Sequence, residues 1–513
     1  MSTSSVQPQA ETSTSRPELH VTAELGVLEA PAGAIVADGN LHVFHQFRPR
    51  ADEGSRWAHQ VASEVPYDWD VCDDVLTPAG NEVDVLAGSS VLLSADPQAA
   101  GSEDNNAVEL FFVTSTPKST GSASPDLLGN RIHHGDRGDR SFQIQRAYIP
   151  DVADMLDVSD DPTEADSRVE RLGAIDIDDS AYPIEDLVTP NVLFHEGSWL
   201  MIALSLSGET DAEIVVLRST DRQHWKVVGP LQIAGEANLP AVRPFSPRMV
   251  SMTDESTGEV RDVLFVTYPE TSGSSESTGY VVGTLQEAEF TVSTAYTVLD
   301  HGHNFTRPRV ISGDQPLLFG LVGAHPNLDS LWANCLTSPR YLSLVDGHVY
   351  QDIVGEPRAV KGYSDRAVIW TGQLDCTDGS VTADVVDKEG NALVHITHDQ
   401  SSVSVTRGED DTVTAQLGDT SSSSLAIFVD GPLCEVFVDG GATSLTSTIP
   451  EGATDVQVEV SGEASIINSM VTVGQELLLT RVGLDSPEAQ ERFMAEALVA
   501  DREVAEGLFS EDD

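Results

Sequence analysis

Lysine is almost missing from this chain, occurring only at positions 118, 226, 361 and 388 of 513. All basic residues together number 28 against 83 acidic ones, a formal net charge of −55. A surface so poor in cations excludes nucleic acid and anionic membranes as partners, because binding phosphates needs basic side chains to displace counterions. The acid excess reads as general solubility rather than as a site for a cationic partner. Cysteine is equally scarce. Cys72, Cys335, Cys376 and Cys434 are scattered without CxxC spacing. That removes a zinc site and a disulfide framework, and leaves small buried hydrophobes of a reducing compartment. No His, Cys or acidic cluster has metal-ligand spacing and no Gly-rich phosphate loop precedes a helix, so no metal and no cofactor is expected. No apolar run approaches the roughly 20 residues of a membrane span. The opening "MSTSSVQPQAETSTS" has neither the basic nor the apolar region of a secretory signal. Residues 1–15 therefore read as a disordered leader, and a cytoplasmic location is expected.

What the chain does have is strand. Short runs such as "LHVFHQF", "VELFFVTST", "NVLFHEGSWLMIAL", "EIVVLRST", "DVLFVTYPE" and "PLLFGLVGA" recur along it. Turns rich in Gly, Asp and Asn, such as "ADGN" and "HEGS", separate them. With 513 residues, two domains are the natural expectation. Many short strands joined by hairpin turns indicate an all-β sandwich, barrel or propeller, although no exact blade repeat is visible. Residues 116–140 and the acidic stretch 151–180 read as surface insertions. Residues 346–365 suit a linker. Beyond them "SLAIFVDG", "CEVFVDGG" and "VQVEVSG" make a second β unit. The tail changes period. Ser486 caps it, Pro487 fits a first turn, and Phe493, Ala497, Leu498 and Val504 lie near one face, so a helix is expected over 485–510.

Six segments, taken in order, resemble glycoside hydrolase family 32, the β-fructofuranosidases that include invertases, levanases and sucrose-6-phosphate hydrolases. "RPELHVTAELGVLEAPAGAIVADGNLHVFHQFRP" is similar to the family's opening Asn-Asp-Pro-Asn-Gly and Phe-Tyr-Gln strands. "RWAHQVASEVPYDW" is similar to its Trp-Gly-His segment, and "LVTPNVLFHEGSWLMIAL" to the strand pair carrying Arg-Asp-Pro. "VLDHGHNFTRPRV", "LWANCLTSPRYLSLVDGHVYQ" and "IFVDGPLCEVFVDGGATSLTSTI" resemble later strands, the last in the C-terminal sandwich. The resemblance implies an all-β fold: a five-bladed β-propeller over 16–345, a linker over 346–365, a β-sandwich over 366–482, then the short helical tail.

It also implies a retaining glycosidase mechanism. One carboxylate attacks the anomeric carbon, a second carboxylic acid protonates the leaving oxygen, and a further Asp steadies the transition state. On this sequence those positions fall on Ala30 for the nucleophile, Phe245 for the acid/base and Thr189 for the stabiliser. None is a carboxylate. Prolines 31, 190 and 247 hold the three registers. Glu29, next to Ala30, is the one substitute acid in view, but on a regular strand it faces the other way; a bulge is what would re-aim it. Asp186, Glu185 and Glu236 read as surface charge.

For carbohydrate binding the resemblance points to Gln46, Trp57, His59, Trp332 and Arg248, with a fructoside or a phospho-sugar as the partner. Trp57 and Trp332 equally suit packing between blades, and Arg248 equally suits an exposed loop. Three functions stay open: a catalytically degenerate homologue that binds carbohydrate or regulates sugar metabolism, an active glycosidase with relocated acids, and a propeller serving as a protein-interaction module. Oligomeric state is not legible.

Overall fold

A computed structural model gives the fold of this chain. It describes residues 16–474 except 64–66, 96–105, 119–139, 157–164, 208–210, 270–275, 324–330, 419–422, 450–455 and positions 314, 354, 378 and 409. The expected leader (1–15) and the expected helix over 485–510 lie outside the described residues.

The strands sort into five meandering sheets followed by two more. The first strands of the five are Gly26–Ala37, Asp84–Leu92, Asp186–His195, Phe245–Thr253 and Phe305–Ile311. Each touches the first strand of the sheet before it and of the sheet after it, and the fifth closes on the first. The result is the ring of a five-bladed propeller, with these strands around its axis. Hairpin chemistry set by the sequence makes each blade. Asp38–Gly39, Glu196–Gly197 and Asp346–Gly347 each place two residues at positive φ, the turn whose twist matches paired strands. A latch closes the ring, as Trp332–Ala333 pairs in parallel with Gly26 and Val27.

Two expectations about the chain's organisation change here. The acidic stretch 151–180 is not wholly an insertion: Glu170–Ala174 is the outer strand of the second blade and Asp176–Asp178 pairs with the third. Outer strands face solvent on one side, so acidic residues fit there. Within 346–365, His348–Ile353 is the outer strand of the fifth blade and Glu356–Tyr363 is the α-helix of the described residues. A short polar strand at a sheet edge looks like a linker in sequence, because it lacks the apolar alternation of a core strand.

The last two sheets lie face to face over one core. Trp370, Leu425 and Val436 from one sheet meet Val385, Ile396 and Val405 from the other, the packing of a β-sandwich.

Sandwich and propeller join through a buried polar network. Arg340, on the fifth blade, pairs with Asp300 at 3.0 Å and with Glu435 of the sandwich at 2.6 Å. Its guanidinium also donates to Gln351 and Thr446 and lies over the rings of Phe305 and Phe437. His20 bridges Asp430 and Glu435 at 2.7 and 3.0 Å. Burial works against a charged His20, yet hydrogen bonds and charge from both acids prevail and raise it to about 9. Burial likewise opposes the Glu435 carboxylate, but Arg340 and His20 bring it down to about 2. Gly302 is obligatory at this junction, since a Cβ there would lie 2.0 Å from the Thr446 carbonyl oxygen.

Candidate functional site

All five axial strands break their pairing at the same level. The register slips between Leu28 and Ala30, Leu86 and Ser89, Val188 and Asn191, Phe245 and Arg248, and Thr306 and Arg309. Three of the breaks carry a proline, at Pro190, Pro247 and Pro308, and Pro31 follows the first break and opens a second slip, between Pro31 and Gly33. Proline has no N–H to give a ladder, so a bulge is where an inner strand tolerates it. It also drives the preceding residue out of the helical region. That effect favours extended backbone, yet Thr189, Ser246 and Arg307 take the left-handed φ of 54°, 51° and 50°. Positive φ at a non-glycine residue costs about 1–3 kcal/mol and is held only where neighbours enforce it. Here the neighbours are adjacent blades: Arg248 donates to the Thr189 carbonyl, and Met249 N–H to the Asn191 side chain. Val192 N–H donates to Ser89, and Arg309 to the Pro31 carbonyl.

Ala30, Thr189 and Phe245 all stand at these breaks and are half-buried. Their surroundings are occupied by other residues. The Arg307 guanidinium lies 5.8 Å from the centre of the Phe245 ring and donates to the Glu29 carbonyl at 3.4 Å. It also grips Glu276, with Nη2 at 3.0 Å and Nε at 3.3 Å from the two carboxylate oxygens. Thr306 donates to the same carboxylate at 2.6 Å. The position expected for a proton donor thus holds an aromatic ring beneath an arginine.

Glu29 sits on the bulge itself. Leu28 pairs with Phe47 and Ala30 with Gln46, so Glu29 has no partner across the ladder and the strand's alternation is broken there. Its carboxylate is 5 % exposed and accepts from Gln46 Nε2 at 2.5 Å, Ser55 Oγ at 2.5 Å and Arg48 Nε at 3.1 Å. Arg48 also reaches Asp84, at 2.9 Å. Burial pushes Asp84 up, but the Ser55 N–H, Arg48 and Arg140 outweigh it and hold Asp84 below the ordinary carboxylate range. Two acids, one arginine, an amide and a hydroxyl therefore make one hydrogen-bonded unit linking the first two blades. Gln46 completes it by accepting from Ala87 N–H at 2.6 Å.

The other residues expected to meet a sugar lie deeper. Trp57 is fully buried in the first blade's core, donates to the Leu86 carbonyl at 3.1 Å and packs edge-on against Phe112. His59 is fully buried between His42 and Phe44, with its Nε2 3.0 Å from His42 Nδ1. Burial lowers His42 to about 4 and His45 to about 3, and takes His59 well below its ordinary value, so these imidazoles are neutral packing groups. Trp332 packs on Val322, Cys335 and Leu433, with Arg16 over its ring. Core positions thus replace the sugar contacts expected of Trp57, His59 and Trp332. Arg248 is not a loop residue either; it is buried on the axis.

Arg307, Glu276, Arg48 and Arg309 escaped the sequence reading. A signal for the first and last was present. "APA", "TPN", "SPR" and "RPR" are one degenerate motif at the same point of four blades, too short to stand out as a repeat. Chemically, the half-buried rim offers hydroxyls, an arginine and a carboxylate, groups suited to a polyhydroxy ligand.

Residues 177–353 match the Glycosyl hydrolases family 32 N-terminal domain. The chain is 25 % identical over 375 residues to the sucrose-6-phosphate hydrolase of Bacillus subtilis (strain 168), covering 69 % of this chain and 68 % of that protein. It is 21 % identical over 480 residues to the sucrose-6-phosphate hydrolase of Salmonella typhimurium, covering 86 % and 90 %. Among solved structures, the sucrose-6-phosphate hydrolase from Lactobacillus gasseri superposes with a TM-score of 0.66 at 17 % identity, covering 90 % of this chain and 94 % of that one. The exo-inulinase from Aspergillus awamori does so with a TM-score of 0.67 at 15 % identity, covering 89 % and 97 %. At such identities the structural likeness speaks for the fold.

Proposed function

We propose that this chain, which belongs to glycoside hydrolase family 32, is a catalytically degenerate member that binds a fructoside or related carbohydrate without hydrolysing it. One observation supports the reading: Phe245, where the resemblance would set the acid/base, lies under the Arg307 guanidinium, and Ala30 and Thr189, where it would set the other two acids, are not carboxylates. An alanine cannot form a glycosyl-enzyme and a phenylalanine cannot protonate a leaving alkoxide. Losing members of a catalytic unit costs ~10³–10⁶ in rate. Hydrogen bonds from Gln46, Thr189 or Arg307 hold ground state and transition state alike, which binds substrate without raising the chemical rate. Relatives named as sucrose-6-phosphate hydrolases and an inulinase supply the ligands to try. A cytoplasmic site of action goes with a phosphorylated sugar and is part of the same proposal.

The test is a turnover assay of purified protein on sucrose, sucrose-6-phosphate, inulin and levan, paired with thermal-shift titrations of the same sugars. The reading expects no hydrolysis above background and saturable stabilisation by at least one sugar. Hydrolysis by clean protein would overturn it. The second reading is an active glycosidase with relocated acids, favoured by one feature, the bulge that turns Glu29 toward Gln46. A retaining pair needs a second carboxyl about 5–5.5 Å away. Both nearby acids, Asp84 and Glu276, are already held by arginines. If activity appears and vanishes in Glu29→Gln, the second reading replaces the first.

A further inference from the structure

Two arginines at equivalent points of adjacent blades are buried on the propeller axis with no acid to answer them. Arg248 and Arg309 each follow the bulge proline of their strand, and they are 1 % and 3 % exposed. Among the described residues neither forms an ion pair. Arg248 donates from Nη1 to the carbonyls of Thr189 and Pro247, at 2.8 and 2.6 Å. Arg309 donates from Nε and Nη2 to the single carbonyl of Pro31, at 3.1 and 2.9 Å. Arg248 Nε and Arg309 Nη1 are buried without any hydrogen-bond partner, as is the Thr189 hydroxyl, whose own carbonyl Arg248 holds.

The two cations also act on each other. Burial depresses Arg309 well below its ordinary value, and the charge of Arg248 depresses it further; burial alone brings Arg248 to about 9. A guanidinium nevertheless stays protonated in proteins. Two like charges therefore share a buried site in which, among the described residues, carbonyl oxygens are their acceptors. Burying even one uncompensated charge costs several kcal/mol, and a chain with 83 acidic residues had carboxylates in abundance to place there.

We propose that a monatomic anion, chloride under ordinary conditions, binds on the propeller axis between Arg248 and Arg309 and completes their coordination. The unpartnered donors, Arg248 Nε and Arg309 Nη1, are what such an ion would satisfy. The Thr189 hydroxyl, on the neighbouring third blade, is a further unpartnered donor among the described residues. Their near-total burial favours an ion without a hydration shell or bulky substituents over phosphate or sulfate, which need room for four oxygens. The ion adds a link between the fourth and fifth blades beside the Arg307–Glu276 pair, at a level where no acid of the described residues reaches Arg248 or Arg309. Apart from the Thr189 hydroxyl, which the sugar reading also uses, this assignment is independent of whether the half-buried rim above binds sugar.

The experiment measures Tm of the full chain at constant ionic strength while gluconate is exchanged for chloride or bromide. Constant ionic strength matters because a net charge of −55 makes any salt stabilising by screening. The expected result is a saturable rise of roughly 2 °C or more with either halide. Arg309→Gln should abolish the halide-dependent rise, and in gluconate alone it should melt no lower than the parent. Crystals grown in bromide should show an anomalous peak between the two guanidinium groups, a readout that survives even if the variant fails to fold. A halide-independent Tm together with an empty bromide map would overturn the proposal. So would a bromide peak elsewhere with none on the axis.

Discussion

Arg340 at the junction and Arg248 with Arg309 on the axis are the same residue, equally buried and oppositely treated. At the junction the protein brings its own counter-charges. Asp300 and Glu435 answer one guanidinium, Asp430 and Glu435 answer His20, and of these groups only the Arg340 Nε lacks a partner among the described residues. On the axis two guanidiniums donate to three carbonyl oxygens between the pair of them, and neither forms an ion pair among the described residues. The difference tells where the molecule is closed and where it is open to a ligand. The junction is an internal weld, complete without anything from solution. On the axis the balance of charge is left to something the chain does not encode.

The largest expected effect tests the weld. Arg340→Met strands Asp300 and Glu435 in the interior, and breaking a buried pair in this way costs about 3–5 kcal/mol. Urea unfolding should show it, and a loss under 1 kcal/mol would mean the junction is not the closed unit described.

Next comes pH. His20 is held near 9 in the folded chain against an ordinary value of 6.5. Between those values the folded chain binds the extra proton, so this contribution is complete below about 6.5 and disappears as pH rises through 9. His45 goes the other way. With a folded value near 3, its contribution is lost as pH falls below 6.5. His20→Gln should therefore narrow its stability gap from the parent as pH rises from 6.5 to 9. A gap that widens across that interval would refute the assignment.

A smaller effect separates the rim from both arginine sites. Glu29→Gln keeps the shape but weakens the bonds from Arg48, Ser55 and Gln46, and should cost about 1–3 kcal/mol. Its unfolding midpoint should fall while turnover on sucrose stays at background. The smallest effect is on the axis. Arg309→Met, measured in chloride, removes a repulsion together with an anion ligand, so its stability should stay within about 1 kcal/mol of the parent. A loss as large as that of Arg340→Met would erase the contrast between the two regions.

Much of this architecture was legible beforehand. The β class, the hairpin at Asp38–Gly39 and the division into two β units follow from period-2 alternation and from turn residues that accept positive φ, both local properties. The expectation that Ala30, Thr189 and Phe245 occupy the catalytic positions came from the resemblance, with prolines 31, 190 and 247 holding its register. Trp57 and His59 were not. On a strand, residue type does not tell whether a side chain meets the axis or the neighbouring blade, since that depends on how the sheets pack. Glu29 shows the same limit from the other side. Strict alternation turns it away, and one extra residue in the ladder brings it to Gln46.

By itself, then, the sequence determined which side chains are available. Positions 30, 189 and 245 carry no carboxylate, cations are scarce, and proline recurs where inner strands bulge, because these are matters of which atoms are present and which torsions they permit. Only the tertiary structure decided that Arg307 covers Phe245, that Glu29 joins Arg48 and Asp84, and that Arg248 and Arg309 meet without a counter-charge. Those outcomes depend on residues from different blades arriving at one level of the axis. Closure of the ring fixes that level, and no short-range preference of the chain contains it.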